Sequence, residues 1–149
     1  MNKKPNPTAR RLARRLALQA IYQWQFSEQT AQEIERQFID THDLTKADVA
    51  YFLQLLHGVI NEVASLDSYF TPWLDRPLTE LTPIELAVLR LGVYELRLCL
   101  NVPYRVVIDE ALRLTKTFGT VEGFKYVNAV LDRVASQLRA VEVAAHTTK

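Results

Sequence analysis

The stretch TPIELAVLRLGVYELRLCL, residues Thr82–Leu100, decides the fold class of this chain. Its first four residues combine a threonine N-cap, a proline at the first helical position and a glutamate three residues after the cap. This combination is the strongest helix start in the sequence. The helix that it opens carries apolar residues on nearly every side, which is typical of a helix at the centre of a bundle. The stretch therefore predicts a helical bundle built around this segment.

Helical patterns continue on both sides of this segment. Thr8, Thr45 and Thr120 are placed to cap helices, and residues 143–149 look like a frayed tail. Further helices are predicted over about residues 8–26, 31–41, 45–69, 103–118 and 121–140.

No segment shows the two-residue alternation of a strand, and no Asn-Gly or Asp-Gly turn suggests a hairpin. We therefore expect an all-α protein of six or seven helices in two packed groups. Three prolines fall within residues 72–83 and indicate a hinge. The predicted organisation is an N-terminal helical half at about 8–71, a hinge at about 72–82 and a C-terminal half at about 83–142.

Gly92 interrupts the central helix, at a cost of about 1 kcal/mol relative to alanine. A glycine at such a position suggests that another backbone approaches closely there. We therefore expect a tight helix contact at Gly92.

Charge is distributed unevenly along the chain. The 149 residues carry 18 basic and 17 acidic side chains, for a net charge of +1. No acidic residue precedes Glu28, and the six basic residues before it are Lys3, Lys4, Arg10, Arg11, Arg14 and Arg15. Such segregation is typical either of a surface for an anionic partner or of a solvated helix face.

Several classes of protein are not favoured. The single cysteine, Cys99, allows no internal disulfide and suggests a cytoplasmic protein. The three histidines, His42, His57 and His146, lack the spacing of metal ligands, and we expect no metal or cofactor. No stretch approaches the roughly 18 apolar residues of a membrane span.

An enzyme is also not expected. The candidate carboxylates are Asp109, Glu110 and Asp132. Adjacent residues on a helix point about 100° apart, so Asp109 and Glu110 cannot act on one bond as a pair. The sequence also lacks a glycine-rich phosphate loop and an activated nucleophile pattern. We therefore assign no catalytic residue.

The first helix has the composition of an RNA-binding surface. At about 100° per residue, its four arginines fall within about 140° of one another, opposite the apolar side chains. They are Arg10, Arg11, Arg14 and Arg15. Tyr22 lies on the same side. Arginines that bind phosphates beside a ring that stacks on an unpaired base are typical of single-stranded RNA binding.

Two other surfaces are less well supported for this helix. A DNA-reading helix-turn-helix expects a short turn and a polar recognition helix after the first helix, and the basic charge here lies on the first helix itself. A membrane-surface helix would use the apolar face that the bundle needs. RNA binding is therefore the leading interpretation.

The basic helix and several later blocks resemble the NusB family of bacterial transcription antitermination factors. The matching blocks are ARRLARRLALQAIY at 9–22, AVLRLGVYEL at 87–96, VPYRVVIDEA at 102–111, KTFG at 116–119 and KYVNAVLD at 125–132. They follow the family order over nearly the whole chain. The resemblance implies a single NusB-like domain over residues 1–149.

The resemblance also implies a function. Members of the family bind the boxA element of nascent RNA together with NusE, a small-subunit ribosomal protein. The assembly joins RNA polymerase and regulates termination, notably on ribosomal RNA operons. The free protein is either a monomer or a homodimer. The alternative function is a helical protein-interaction module without intrinsic RNA binding.

Candidate site residues follow from the resemblance by position. The RNA-binding candidates, with Arg15 from the same helix face, are Arg10, Arg11, Arg14, Arg15, Tyr22, Trp73, Phe118, Glu122 and Lys125. Trp73 stands where the family has tyrosine, and Glu122 where aspartate is common. Trp73 and Phe118 also fit core positions, and Glu122 also fits the first turn of a helix, where an acid is stabilising.

Glu85 is the candidate contact for NusE. The family binds this partner through the central helices of its second half, and Glu85 lies near the start of the central helix. Its place in a capping box is an alternative explanation.

Overall fold

The structure is a computed structural model that describes residues 6–147. Those residues form eight α-helices and two short 3-10 turns, Thr71–Trp73 and Leu78–Glu80, and no strand. The helices are α1 Pro7–Phe26, α2 Ala31–Thr41, α3 Val49–Asn61, α4 Val63–Phe70, α5 Pro83–Leu98, α6 Tyr104–Phe118, α7 Val121–Leu138 and α8 Ala140–Thr147. The all-α prediction is confirmed, with more helices than the six or seven expected.

The chain divides at Asn61 and Glu62 into two compact units. In the first unit, α1, α2 and α3 pack on one another; in the second, α4, α6 and α7 pack on α5. The division falls before the hinge predicted at about 72–82. The reason is that α4 belongs with α5, where Arg90 donates two hydrogen bonds of 2.8 and 2.9 Å to the Asp67 carboxylate.

The single helix predicted over 45–69 is in fact two helices. The Asp48 side chain accepts a hydrogen bond of 3.0 Å from the backbone N–H of Tyr51, so Asp48 opens α3 and Thr45 does not. The chain breaks at Glu62 and continues as α4. Over the described residues, no single helix is long and apolar enough to span a membrane, although Val49–Asn61 and Val63–Trp73 together meet these criteria as a bent pair.

Two of the four predicted caps, Thr82 and Thr120, are confirmed, and those at Thr8 and Thr45 are not. Thr30 caps α2 in a full capping box, and Thr120 caps α7 by accepting a hydrogen bond of 3.0 Å from the backbone N–H of Gly123. The expected cap at Thr8 is wrong. The side chain of Asn6 caps α1 instead, because it accepts hydrogen bonds from two backbone N–H groups of the first turn.

The central helix α5 begins as the sequence indicates. The Glu85 backbone N–H donates to Thr82 Oγ1 at 3.1 Å, and the Thr82 backbone N–H donates to Glu85 Oε1 at 2.9 Å. Pro83 occupies the first turn. Ten of the sixteen residues of α5 are buried, as expected for the helix on which the rest of its unit packs.

Arg139 stabilises the C-terminal end of α5. Its side chain is only 6% exposed. The guanidinium donates hydrogen bonds of 2.7–3.2 Å to the backbone carbonyls of Leu96, Val102, Glu95 and Cys99. The last carbonyls of a helix lack partners within the helix, so this buried arginine supplies donors that the end of α5 needs.

The predicted frayed tail over 143–149 is wrong for the described residues up to 147, which belong to α8. Glu142 ties this helix to its unit, since it accepts 2.7 Å hydrogen bonds from Arg139 and from the backbone N–H of Tyr104. Burial raises the pKa of Glu142, but these two hydrogen bonds outweigh it and hold the pKa below its usual value. Residues 148 and 149 lie outside the described part of the chain.

Gly92 lies where α7 packs against α5. A Cβ atom at this position would lie 3.1 and 3.2 Å from the two methyl groups of Leu131. The close neighbour is thus a side chain and not the backbone that the sequence suggested. Leu131 is fully buried, so it has little room to move away.

We expect Gly92→Leu to lower the free energy of unfolding by about 1–3 kcal/mol, because the added side chain overpacks the contact with Leu131. Urea denaturation followed by circular dichroism measures this loss. Adding Leu131→Ala should recover part of it, so that the double variant loses less than the two single losses combined. If the stability losses of the two single variants simply add in the double variant, the contact with Leu131 is not the reason that glycine is needed at position 92.

Candidate nucleic-acid interface

Four exposed side chains of α1 form what we call the α1 outer face. They are Arg11, Arg15, Tyr22 and Phe26. At about 100° per residue they fall within an arc of about 60°. Two guanidinium groups therefore lie toward the N-terminal end of this face, and two aromatic rings lie toward its C-terminal end.

Arg10 and Arg14 do not share this face. Arg14 is only 4% exposed. The guanidinium carbons of Arg10 and Arg14 lie 4.2 and 5.4 Å from the centre of the Tyr51 ring in α3. Arg10 also lies 3.6 Å from the Asp48 carboxylate.

The prediction that all four arginines lie together on one face is corrected by these contacts. The buried arc of α1 is wider than the apolar residues alone suggest, because the Tyr51 ring attracts the two cations through its π face. Arg10 and Arg14 hold α1 on α3, whereas Arg11 and Arg15 remain accessible to a ligand.

An open cleft of about 420 Å³ lies in the second unit, between the turn after α4 and the outer side of α7. Its lining combines aromatic, charged and small apolar side chains. They are Pro72, Trp73, Asp75, Tyr126, Ala129, Val130 and Arg133. Of the predicted site residues, Trp73 lies in this cleft.

Trp73 is half-buried, and its ring is positioned by Arg133, whose guanidinium carbon lies 5.6 Å from the ring centre. The indole Nε1 is buried and has no hydrogen-bond partner among the described residues. Because this nitrogen has almost no exposed surface, a ligand in the cleft would contact the indole ring rather than the N–H. Trp73 is therefore not a fully enclosed core residue.

Tyr126 forms the opposite side of the cleft. Its hydroxyl oxygen accepts a 3.3 Å hydrogen bond from the backbone N–H of Asp75, and the Arg76 guanidinium carbon lies 4.5 Å from its ring centre. Burial raises the pKa of Tyr126, so the phenol is protonated at neutral pH. The hydrogen bond from Arg76 holds the pKa of Asp75 below its usual value, so Asp75 is charged.

Sequence reasoning missed Tyr126, Arg76 and Arg133. Tyr126 and Arg133 are seven residues apart on α7, a spacing that places them on one face and is visible in the sequence. Residues 72–76 contribute to the cleft because their turn packs against α7. No local sequence pattern predicts this packing.

The other RNA-binding candidates of the second unit lie at the end of α6 and near the start of α7. Phe118, the last residue of α6, is half-buried, and Glu122 and Lys125 are exposed near the start of α7. Glu122 lies in the first helical turn, where its charge also stabilises the helix.

Glu85 is 8% exposed and closes the capping box of α5. A Cβ atom at Gly123 would lie 3.1 Å from Glu85 Oε2, so the start of α7 lies directly against this carboxylate. The structure thus shows the capping role, and the contact of Glu85 with NusE stays a prediction.

The sequence pattern of the NusB family matches residues 11–136. The chain belongs to the NusB family. A transcription antitermination protein NusB of Ralstonia pickettii (strain 12J) is 54% identical over 143 residues, 96% of this chain and 92% of that protein. The one from Alcanivorax borkumensis is 51% identical over 144 residues, 97% and 96% of the two chains. The solved structure of T. maritima NusB is 29% identical, with a TM-score of 0.76 over 91% of this chain and 93% of that one.

These similarities confirm the resemblance inferred from the blocks over residues 9–132, and the NusB-like fold with it. The protein is therefore a member of a family of transcription antitermination proteins.

Proposed function

We propose that this NusB family protein binds boxA-type single-stranded RNA together with NusE and joins the RNA polymerase elongation complex, notably on ribosomal RNA operons. It acts in the cytoplasm, without a catalytic step or a cofactor. The observation that carries the proposal is the α1 outer face, where Arg11, Arg15 and Tyr22 are exposed on one side of a helix.

The chemistry of this face fits a single strand. Guanidinium groups bind phosphate oxygens through paired hydrogen bonds, and Arg11 and Arg15 are one helical turn apart. Tyr22 lies two turns further along, where its ring can stack on an unpaired base. No acidic residue precedes Glu28 in the sequence, so no carboxylate of α1 repels the strand.

The cleft of the second unit supports the same function independently. Trp73 and Tyr126 offer two aromatic rings on which unpaired bases can stack. Arg133 and the exposed Lys125 add positive charge on α7. We propose Trp73, Phe118, Glu122 and Lys125 as the RNA contacts of this unit.

A gel shift with labelled boxA RNA, with and without NusE, tests the function. We expect the protein alone to bind weakly and NusE to strengthen RNA binding. Because coupling between two ligands is reciprocal, RNA should strengthen NusE binding by the same factor, which calorimetry measures.

The alternative function, a protein-interaction module, predicts a different result. If the protein binds NusE but neither the protein nor the complex shifts boxA RNA, the chain is a helical protein-interaction module without RNA binding. An RNA of the same length and scrambled sequence serves as the control.

A further inference from the structure

Phe26 is an unusually exposed aromatic residue. It is the last residue of α1, and 64% of its surface is accessible. Its ring lies 5.0 Å from the ring of Tyr22, which is itself 38% exposed, at an angle of 67°. Single exposed apolar residues are common, but two adjacent exposed rings form a surface that favours a ligand.

The C-terminal end of α1 is held in place by hydrogen bonds. Gln23 Nε2 donates 2.9 Å hydrogen bonds to the side-chain oxygens of Gln29 and Gln37. The backbone N–H of Ser27 donates to the Trp24 carbonyl at 3.1 Å and closes the last turn. Phe26 is therefore presented on an ordered segment, and binding to it costs little conformational entropy.

The position of Phe26 connects it to the proposed RNA site. It lies on the α1 outer face, one turn beyond Tyr22 and about 16 Å along the helix axis from Arg15. Glu28, the first acidic residue of the chain, comes only after it. The face thus runs from guanidinium groups to aromatic rings without an intervening carboxylate on α1.

We infer that Phe26 is a base-stacking residue, which extends the single-stranded RNA site of this protein by one base beyond Tyr22. The inference rests on the proposed function, because the occupant is a base of the same RNA strand. An aromatic ring is sequence-tolerant as a stacking platform, since every base has a π face. Phe26 therefore increases the affinity for RNA and lengthens the binding site by one base, without recognising a particular base.

Replacing Phe26 with alanine should weaken boxA RNA binding by about 5- to 100-fold, the effect expected for loss of one stacked base. The slope of log affinity against log salt should stay unchanged, because no phosphate contact is lost. Phe26→Trp should keep the affinity, and Phe26→Leu should lose most of it. Titrations of fluorescently labelled boxA RNA at several salt concentrations measure both quantities.

The control is Ile39→Ala, which removes a 47% exposed apolar side chain of α2 in the same unit. It should leave RNA affinity unchanged. A series of boxA RNAs with 2-aminopurine at successive positions locates the base, because its fluorescence is quenched by stacking. One position should lose its quenching in Phe26→Ala and keep it in Ile39→Ala.

Two results would overturn the inference while leaving the proposed function intact. The first is an RNA affinity of Phe26→Ala equal to that of the wild type. The second is a loss of NusE binding without a loss of RNA binding, which would assign the rings to a protein partner. If the wild-type protein itself fails to bind boxA RNA, the proposed function and the inference fall together.

Discussion

Replacing Arg139 with methionine should lower the free energy of unfolding by about 2–5 kcal/mol. Methionine keeps much of the side-chain volume but removes every hydrogen bond that the guanidinium donates. Four backbone carbonyls around the end of α5 then lose a donor, as does the Glu142 carboxylate. The carbonyls of Glu95 and Cys99 keep a backbone donor, from the N–H groups of Cys99 and Val102. The loss therefore falls mainly on the carbonyls of Leu96 and Val102, and a buried acceptor without a partner costs about 1–3 kcal/mol.

Urea denaturation measures the effect of Arg139→Met, and Arg36→Met is the matched control. Arg36 is exposed on α2. Surface substitutions usually change stability by about 0.5 kcal/mol or less, so the control should have little effect. Similar losses of stability for the two variants would mean that the hydrogen bonds of Arg139 do not stabilise the end of α5.

Replacing both Arg11 and Arg15 with alanine should weaken boxA RNA binding by about 10- to 100-fold at low salt, because two charge-assisted contacts with phosphates are lost. Both side chains are exposed, so the fold should remain intact. Circular dichroism and the melting temperature check this. Arg10 and Arg14 are poor choices for the same test, since both pack on Tyr51.

The matched control for this double variant is Arg36→Ala. Arg36 is exposed on α2, in the same unit but outside the α1 outer face. Its loss should lower RNA affinity only slightly, through the general charge of the protein. An equal loss for Arg36→Ala would indicate that RNA responds to net charge and not to the α1 outer face.

Local signals in the sequence predicted much of the fold. The predicted caps at Thr82 and Thr120 mark the starts of α5 and α7 correctly, because a cap depends on residues within one turn. The end of α5 could not be predicted in this way. Its carbonyls are bonded by Arg139, about forty residues later in the chain.

The same distinction applies to the candidate site. Arg11, Arg15 and Tyr22 follow from helical periodicity and are exposed as predicted. The burial of Arg14 was not predicted, because it depends on Tyr51 in another helix. Phe26 satisfies the same periodicity as Tyr22, but a wheel alone gives no measure of its exposure.

The most direct test of RNA binding by the α1 outer face is the salt dependence of affinity. Wild type and the Arg11→Ala/Arg15→Ala variant are titrated with boxA RNA at several salt concentrations, and log affinity is plotted against log salt. On single strands, each phosphate contact contributes about 0.7 to the slope, so loss of two contacts should make it shallower by about 1.4. Equal affinities and equal slopes would contradict phosphate binding by this face.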